Sequence, residues 1–200
     1  MDQFQYLLKR IGRCFLYSHY CLFMTIMISL ISSQFLPMNS KVAKLALLAA
    51  AFLLYAFAQF TCGMAFGLRQ FRATVDNSYR RKPDSRDLLA YYEKRDLEFA
   101  PLNGALIGLF SHWPLLVAYI VYAFTGKAAR DFISYFIVYL GWGVITAPIK
   151  AIWNATNIYY ALILIPITAL FTFAGYMFSG ARMKAQQNRI TAMQESLKGE

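Results

Sequence analysis

The most unusual candidate for chemistry in this sequence is His112, which lies in His112-Trp113-Pro114 within an apolar stretch. An ionisable side chain is costly inside a membrane helix, so it often belongs to a proton relay, a ligand site or a solute pathway. The structural alternative is that His112 forms an interhelical hydrogen bond or lies near the membrane surface, with Trp113 as an interfacial anchor. His19, in an earlier apolar stretch, allows the same two interpretations.

A second candidate is Lys150, which lies between Pro148 and Trp153. If the surrounding helix is broken, Lys150 could line a polar cavity for an anionic solute. The alternative is that its ammonium group reaches the headgroup level from the end of a helix. We name His112 and Lys150 as candidate pathway residues.

The three cysteines, Cys14, Cys21 and Cys62, lie at or inside apolar stretches, and their odd number cannot be fully paired within one chain. Reduced, buried thiols are the interpretation that we favour. With the two histidines they match no known spacing of metal or haem ligands. The sequence therefore predicts no metal site and no cofactor.

Catalytic motifs are missing from the sequence. It has no phosphate-binding glycine loop, no zinc-protease helix motif, no nucleophile elbow and no paired carboxylates in an apolar stretch. The enzyme question stays open, and an enzyme is the less favoured class. Two glycine pairs at four-residue spacing instead favour close helix packing or oligomer contacts: Gly63 with Gly67, and Gly104 with Gly108.

The apolar stretches themselves indicate the fold class. Of the 200 residues, 58% are hydrophobic and 15% are charged, a composition typical of membrane proteins. A span needs roughly 20 mostly apolar residues to cross about 30 Å of hydrocarbon. The sequence predicts an all-α, polytopic transmembrane helical bundle with about five spans, near 15–36, 43–68, 102–124, 131–153 and 158–178.

The fourth of these spans is the weakest prediction. We expect it to begin at Asp131 as a helix N-cap, and Gly141, Gly143 and Pro148 interrupt it. The segment is long enough to cross, so we favour five spans. The alternative is four spans with a re-entrant fourth segment that enters and leaves on one side, which requires protein or a water cavity to cover its irregular backbone.

Residues 1–178 are predicted to form a single membrane domain, and 179–200 a basic amphipathic tail. The one substantial loop, 69–101, holds eight basic and six acidic residues. Within it, Asp84 to Asp87 predict the start of an amphipathic helix after Pro83. Its apolar side chains would lie at the headgroup level or contact another protein: Leu88, Leu89, Tyr91 and Tyr92.

Basic residues indicate the orientation. The loop 69–101 has eight, and Lys9, Arg10 and Arg13 precede the first span, so we place both regions inside. Five full spans would put the basic tail outside, against the same rule. The net charge of +10 is explained by this distribution beside a bilayer, so we expect no nucleic-acid partner.

These features favour a non-catalytic accessory or assembly subunit of a membrane complex, with the lipid bilayer and a membrane protein or a second copy of the chain as partners. The alternative is a small permease, or the membrane component of a transporter, with a solute path along spans three and four. A bacterial cytoplasmic membrane is the expected location, and a mitochondrial inner membrane the alternative.

Overall fold

The computed structural model describes residues 3–79, 100–154 and 157–198, and these are helical with no strand among them. The α-helices are α1 Gln3–Gln34, α2 Lys41–Tyr79, α3 Leu102–Phe110, α4 Trp113–Phe124, α5 Lys127–Tyr135, α6 Gly143–Trp153 and α7 Leu164–Lys198. A π-helical segment, Phe136–Gly141, joins α5 to α6, and a 3₁₀ helix, Ile158–Ile163, precedes α7. The all-helical prediction is confirmed.

Four helical segments of the described residues are long and apolar enough to cross a membrane, namely Leu7–Gln34, Lys41–Arg72, Leu102–Phe124 and Ile158–Gln186. A bent pair, α5 with its π-helical extension followed by α6, would make a fifth if it counts as one span. The number of such helices is therefore four or five, as the sequence predicted.

The long helices run alternately between two ends of the bundle. We call the end at residues 34–41, where α1 turns into α2, the hairpin end, and the opposite end the loop end. At the loop end Arg10 of α1 donates a hydrogen bond to Asn103 of α3 over 2.6 Å. Tyr119 of α4 donates to the carbonyl of Ile158 over 2.6 Å, where α7 is about to begin. Thus α1 and α3–α4 run towards the hairpin end, and α2 and α7 run away from it.

The third candidate span is interrupted at Ser111 and His112, between α3 and α4. Pro114 is the second residue of α4, where its missing N–H is harmless because the first turn of a helix has unpaired N–H groups in any case. The interruption therefore lies just before Pro114. That break places the imidazole of His112 in the core, where the residue is fully buried.

The fourth candidate span is bent by 100° at Trp142. It begins at the hairpin end, where Arg130 donates hydrogen bonds to the carbonyls of Tyr122 and Ala123 at the end of α4, over 3.1 and 3.3 Å. Asp131 lies inside α5, and Gly126 is the N-cap, so the predicted start at Asp131 was wrong. A helix already in progress at Lys127 needs no cap four residues later.

After the bend, α6 returns to the hairpin end. Its start lies against α1, where the hydroxyl of Ser29 accepts a hydrogen bond from the N–H of Val144 over 3.3 Å. Its end, at Asn154, lies beside the α1–α2 turn. Its 11 residues span only about 16 Å, roughly half the hydrocarbon thickness. The bent segment therefore enters and leaves the bundle at the same end.

Candidate functional site

A buried polar cluster joins four helical segments at the centre of the bundle. We call Tyr55, His112, Trp142 and Thr168 the histidine cluster; all four are fully buried. The indole nitrogen of Trp142 donates to Nδ1 of His112 over 2.9 Å. Nε2 of His112 lies 2.7 Å from the hydroxyl of Thr168, which also contacts the hydroxyl of Tyr55.

The donor and acceptor capacities of these groups determine the direction of each hydrogen bond. Because Trp142 can only donate, Nδ1 of His112 accepts, and the proton of the neutral ring lies on Nε2. The hydroxyl of Thr168 donates to the carbonyl of Leu164 over 2.7 Å, so it accepts from both His112 and Tyr55. Each N–H and O–H group of the cluster then has a partner, and no formal charge is needed.

Two of these four side chains lie at helix breaks, and the other two lie on continuous helices. His112 follows the end of α3, and Trp142 is the corner residue between the π-helical segment and α6, with φ −131° and ψ 25°. Tyr55 and Thr168 project from the uninterrupted helices α2 and α7. The contacts of both ring nitrogens of His112 therefore involve residues at or beside a helix break or on an uninterrupted helix.

Lys150, the second candidate pathway residue, lies at the hairpin end, in the last turn of α6. Its ammonium nitrogen donates to the hydroxyl of Tyr139 and lies 4.8 Å from the centre of that ring. It lines a pocket of about 740 Å³ together with Lys41 and Lys44. His112 is not part of the pocket wall, so the structure does not bring the two candidate pathway residues together.

His19, the other histidine, lies on the exposed side of α1. Its Nδ1–H donates to the carbonyl of Phe15 over 2.9 Å, within its own helix. Its ring centroid lies 6.3 Å from that of Trp113, which is also exposed. These contacts place His19 on the outer surface of the bundle, away from the histidine cluster.

A second chain of polar contacts lies near the loop end. Asn103 accepts from Arg10 and donates to Gln70 over 3.0 Å. Gln70 also accepts from the hydroxyl of Tyr176, which in turn accepts from the N–H of Ala100 over 3.2 Å. These contacts tie α1, α2, α3 and α7 together at the loop end.

The four glycines predicted to pack helices all lie against α7. A Cβ atom built on Gly63 would lie 2.1 Å from the carbonyl oxygen of Thr172, and one on Gly108 would lie 2.6 Å from Cα of Ala169. Gly67 and Gly104 meet α7 at similarly short distances, near Ser179 and Tyr176. The backbones thus approach as closely as glycine permits. Their use in contacts with a second protein stays a prediction.

Gly175 is a packing glycine that the sequence analysis missed. A Cβ built there would lie 1.9 Å from the carbonyl oxygen of Phe60, so α7 also presents a glycine to α2. No second glycine lies four residues away in the sequence, so the four-residue spacing that predicted the other packing glycines did not predict Gly175.

The cysteines Cys14, Cys21 and Cys62 are buried as free thiols, and Cys21 and Cys62 lie within hydrogen-bonding reach of each other. Beside them, Gln59 donates to the hydroxyl of Thr25 over 3.1 Å. In the part of the chain that the structure describes, no group of three or more His, Cys, Asp or Glu side chains could hold a metal ion. The loop residues Leu88, Leu89, Tyr91 and Tyr92 lie outside the described residues.

Trp142, Thr168 and Tyr55 were not singled out from the sequence. Each belongs to a stretch of apolar residues in which a tryptophan, threonine or tyrosine is ordinary. A weak signal was available for Trp142, which lies between Gly141 and Gly143, a pattern typical of a helix break. No such signal marks Thr168 or Tyr55.

No protein-family model matches this chain, and neither a curated protein nor a solved structure is significantly similar to it.

Proposed function

We propose that this chain is an integral membrane protein that crosses the bilayer four times, with the bent segment as a re-entrant fourth element. Large apolar side chains on the outside of the long helices support a lipid environment, for instance Leu53 (68% exposed), Ile120 (59%) and Leu170 (63%). A soluble monomer rarely exposes apolar surface of this extent, whereas lipid tails solvate it.

The four-crossing arrangement also agrees with the distribution of basic residues. With α6 returning to the hairpin end, the start of α1, the end of α2, the start of α3 and the end of α7 share the loop end, so the sequence segments 1–13, 69–101 and 179–200 all adjoin it. These regions carry three, eight and four Lys or Arg residues, respectively. We place the loop end on the inner, cytoplasm-like side, and the conflict that five full spans create over the tail does not arise.

Within the membrane, the proposed role is that of a non-catalytic accessory or assembly subunit. The observation that carries this role is the histidine cluster, whose donors all have partners inside the chain. A histidine that relays protons or binds a substrate needs a ring nitrogen open to its partner, whereas both nitrogens of His112 are engaged. The arrangement suits a group that fixes helix positions.

The experiment is quantitative mass spectrometry of the tagged protein, purified from its native membranes in mild detergent. The matched variant keeps the composition of the loop but scrambles residues 84–95. We expect a membrane protein in fixed stoichiometry with the unaltered chain and its loss from the scrambled variant, which must itself remain in the membrane. Recovery of a lone monomer from both would contradict the accessory role.

A small permease is the second candidate. It is favoured by the bent segment, because interrupted helices covered by protein at mid-bilayer depth often form transport sites. The pocket at Lys150 would then be one end of the path. Uptake of radiolabelled phosphate into proteoliposomes tests this role: flux that falls on Lys150→Gln but not on Lys127→Gln would support a permease, and flux no higher than that of empty liposomes would oppose it.

A further inference from the structure

Three lysines converge on one pocket at the hairpin end. Lys41 and Lys44 come from the first turn of α2, and Lys150 from the last turn of α6. We call the space between them, with a volume of about 740 Å³, the three-lysine pocket. Its wall also includes the uncharged polar side chains of Ser33 and Asn154. Residues 109 positions apart in the sequence thus supply positive charge to one cavity.

The chain supplies little negative charge to balance these lysines. Residues 3–75 contain no Asp or Glu, and residues 99–194 contain only Asp131. No carboxylate is among the described residues that line the pocket. Three like charges around one cavity repel each other, and an anion bound between them would remove that repulsion.

Lys150 is held in place rather than left to move freely. Its ammonium group donates to the hydroxyl of Tyr139 and lies over that ring, and the residue is only partly exposed. An ammonium group has three N–H donors, so two remain for a ligand. Tyr139 belongs to the π-helical segment, which means that the bend of the fourth element sets the position of this charge.

We propose that the three-lysine pocket binds a phosphate-bearing anion. A phosphate group offers several charged oxygens, which suit ammonium donors that approach from different directions. The volume is in the range of pockets for small organic ligands, so it accommodates an organic group beside the phosphate. The phosphate could belong to an anionic lipid headgroup or to a soluble organic phosphate. The proposal does not depend on the accessory role.

The location in the membrane adds a separate reason. In the four-crossing arrangement the hairpin end lies on the outer side, where Lys and Arg are disfavoured beside spans. Yet this end holds Lys41, Lys44, Lys127, Arg130 and Lys150. An anion bound between Lys41, Lys44 and Lys150 would neutralise the charge of three of these five residues, and this offsets the cost of placing them on the outer side.

The test measures binding to the purified full chain in a neutral detergent. The lipid probe is phosphatidylglycerol, with phosphatidylcholine as its zwitterionic counterpart, and binding is read by native mass spectrometry. The soluble probe is glycerol 3-phosphate, read by the shift of the thermal unfolding midpoint against sodium chloride at equal ionic strength.

The variants are K41Q/K44Q/K150Q together and K41Q alone. The matched control is K127Q, because Lys127 is exposed at the same end and does not line the pocket.

We expect the triple variant to weaken binding of the responding probe at least about tenfold, since each charge-assisted contact contributes more than a neutral one. K127Q should stay within about twofold of the unaltered chain. Binding of phosphatidylglycerol alone would identify a lipid headgroup, and binding of glycerol 3-phosphate a soluble ligand. If the triple variant does not fold, weaker probe binding by K41Q together with unchanged binding by K127Q would support the proposal. Equal losses in pocket and control variants, unchanged binding in the pocket variants, or no binding of either probe would overturn the proposal.

Discussion

Trp142 and His112 meet through a hydrogen bond of 2.9 Å between the indole nitrogen and Nδ1, although each lies at a break in a different helix. This hydrogen bond joins the bend of the fourth candidate span, at Trp142, to the break between α3 and α4. It also decides which tautomer of His112 the core contains, and hence which atom is left to donate to Thr168.

Replacing Trp142 with Phe should destabilise the bundle. The substitution keeps an aromatic ring but leaves Nδ1 of His112 buried without a donor, which costs about 1–3 kcal/mol in the free energy of unfolding. The measurement is unfolding of the purified protein in mixed micelles by increasing fractions of sodium dodecyl sulfate. Trp113→Phe makes the same chemical change at an exposed neighbour and should cost much less. Equal effects of both substitutions would argue against the cluster.

Tyr55 and Thr168 should be energetically coupled. Tyr55→Phe removes one donor to the threonine hydroxyl, and Thr168→Val removes the acceptor while nearly preserving its shape. In a double-mutant cycle we expect a coupling energy of about 0.5–3 kcal/mol, the range of directly contacting residues. The same cycle with Thr172→Val serves as the control, because that hydroxyl donates to carbonyls of its own helix. A coupling no larger than in the control would contradict the assigned contact.

Two glycine substitutions should have opposite effects on stability. Gly63→Ala would place Cβ 2.1 Å from the carbonyl oxygen of Thr172, so α2 and α7 must move apart at a cost of about 1–3 kcal/mol. Gly12→Ala meets nothing within 4 Å and lies inside α1, where alanine favours the helix by up to about 1 kcal/mol. Thermal unfolding in detergent measures both changes. A stabilising Gly63→Ala would show that the two helices are not in close contact.

Labelling of introduced cysteines should distinguish four crossings from five. Single cysteines at Gly126, Asn157 and Asn188, all exposed positions, are placed in the chain with Cys14, Cys21 and Cys62 replaced by alanine. A membrane-impermeant maleimide applied from one side of sealed vesicles should label positions 126 and 157 together and position 188 from the other side. Five full crossings would instead put 126 and 157 on opposite sides.

The sequence was informative wherever the property is local. A helix is apolar and long enough to span a membrane because of its own residues, so the apolar parts of α1, α2, α3–α4 and α7 were predicted from the sequence. The helices themselves extend further, since α1 begins at Gln3, α2 continues to Tyr79 and α7 continues to Lys198. Glycine spacing found Gly63, Gly67, Gly104 and Gly108 because each pair repeats at four residues within one helix, and it missed Gly175 because no second glycine lies four residues from it. The start at Asp131 was wrong because capping chemistry competes with a helix that begins earlier, at Lys127.

The sequence by itself determined that the chain is helical, that several of its helices are apolar along their length, and that its basic residues are clustered. Composition and periodicity determine these properties without reference to the rest of the chain. Only the tertiary structure decided that the fourth segment returns to the hairpin end and that three lysines share a pocket. It alone paired Tyr55 with Thr168, 113 residues apart. Such contacts depend on how helices pack, and many sequences that are equally apolar would pack differently.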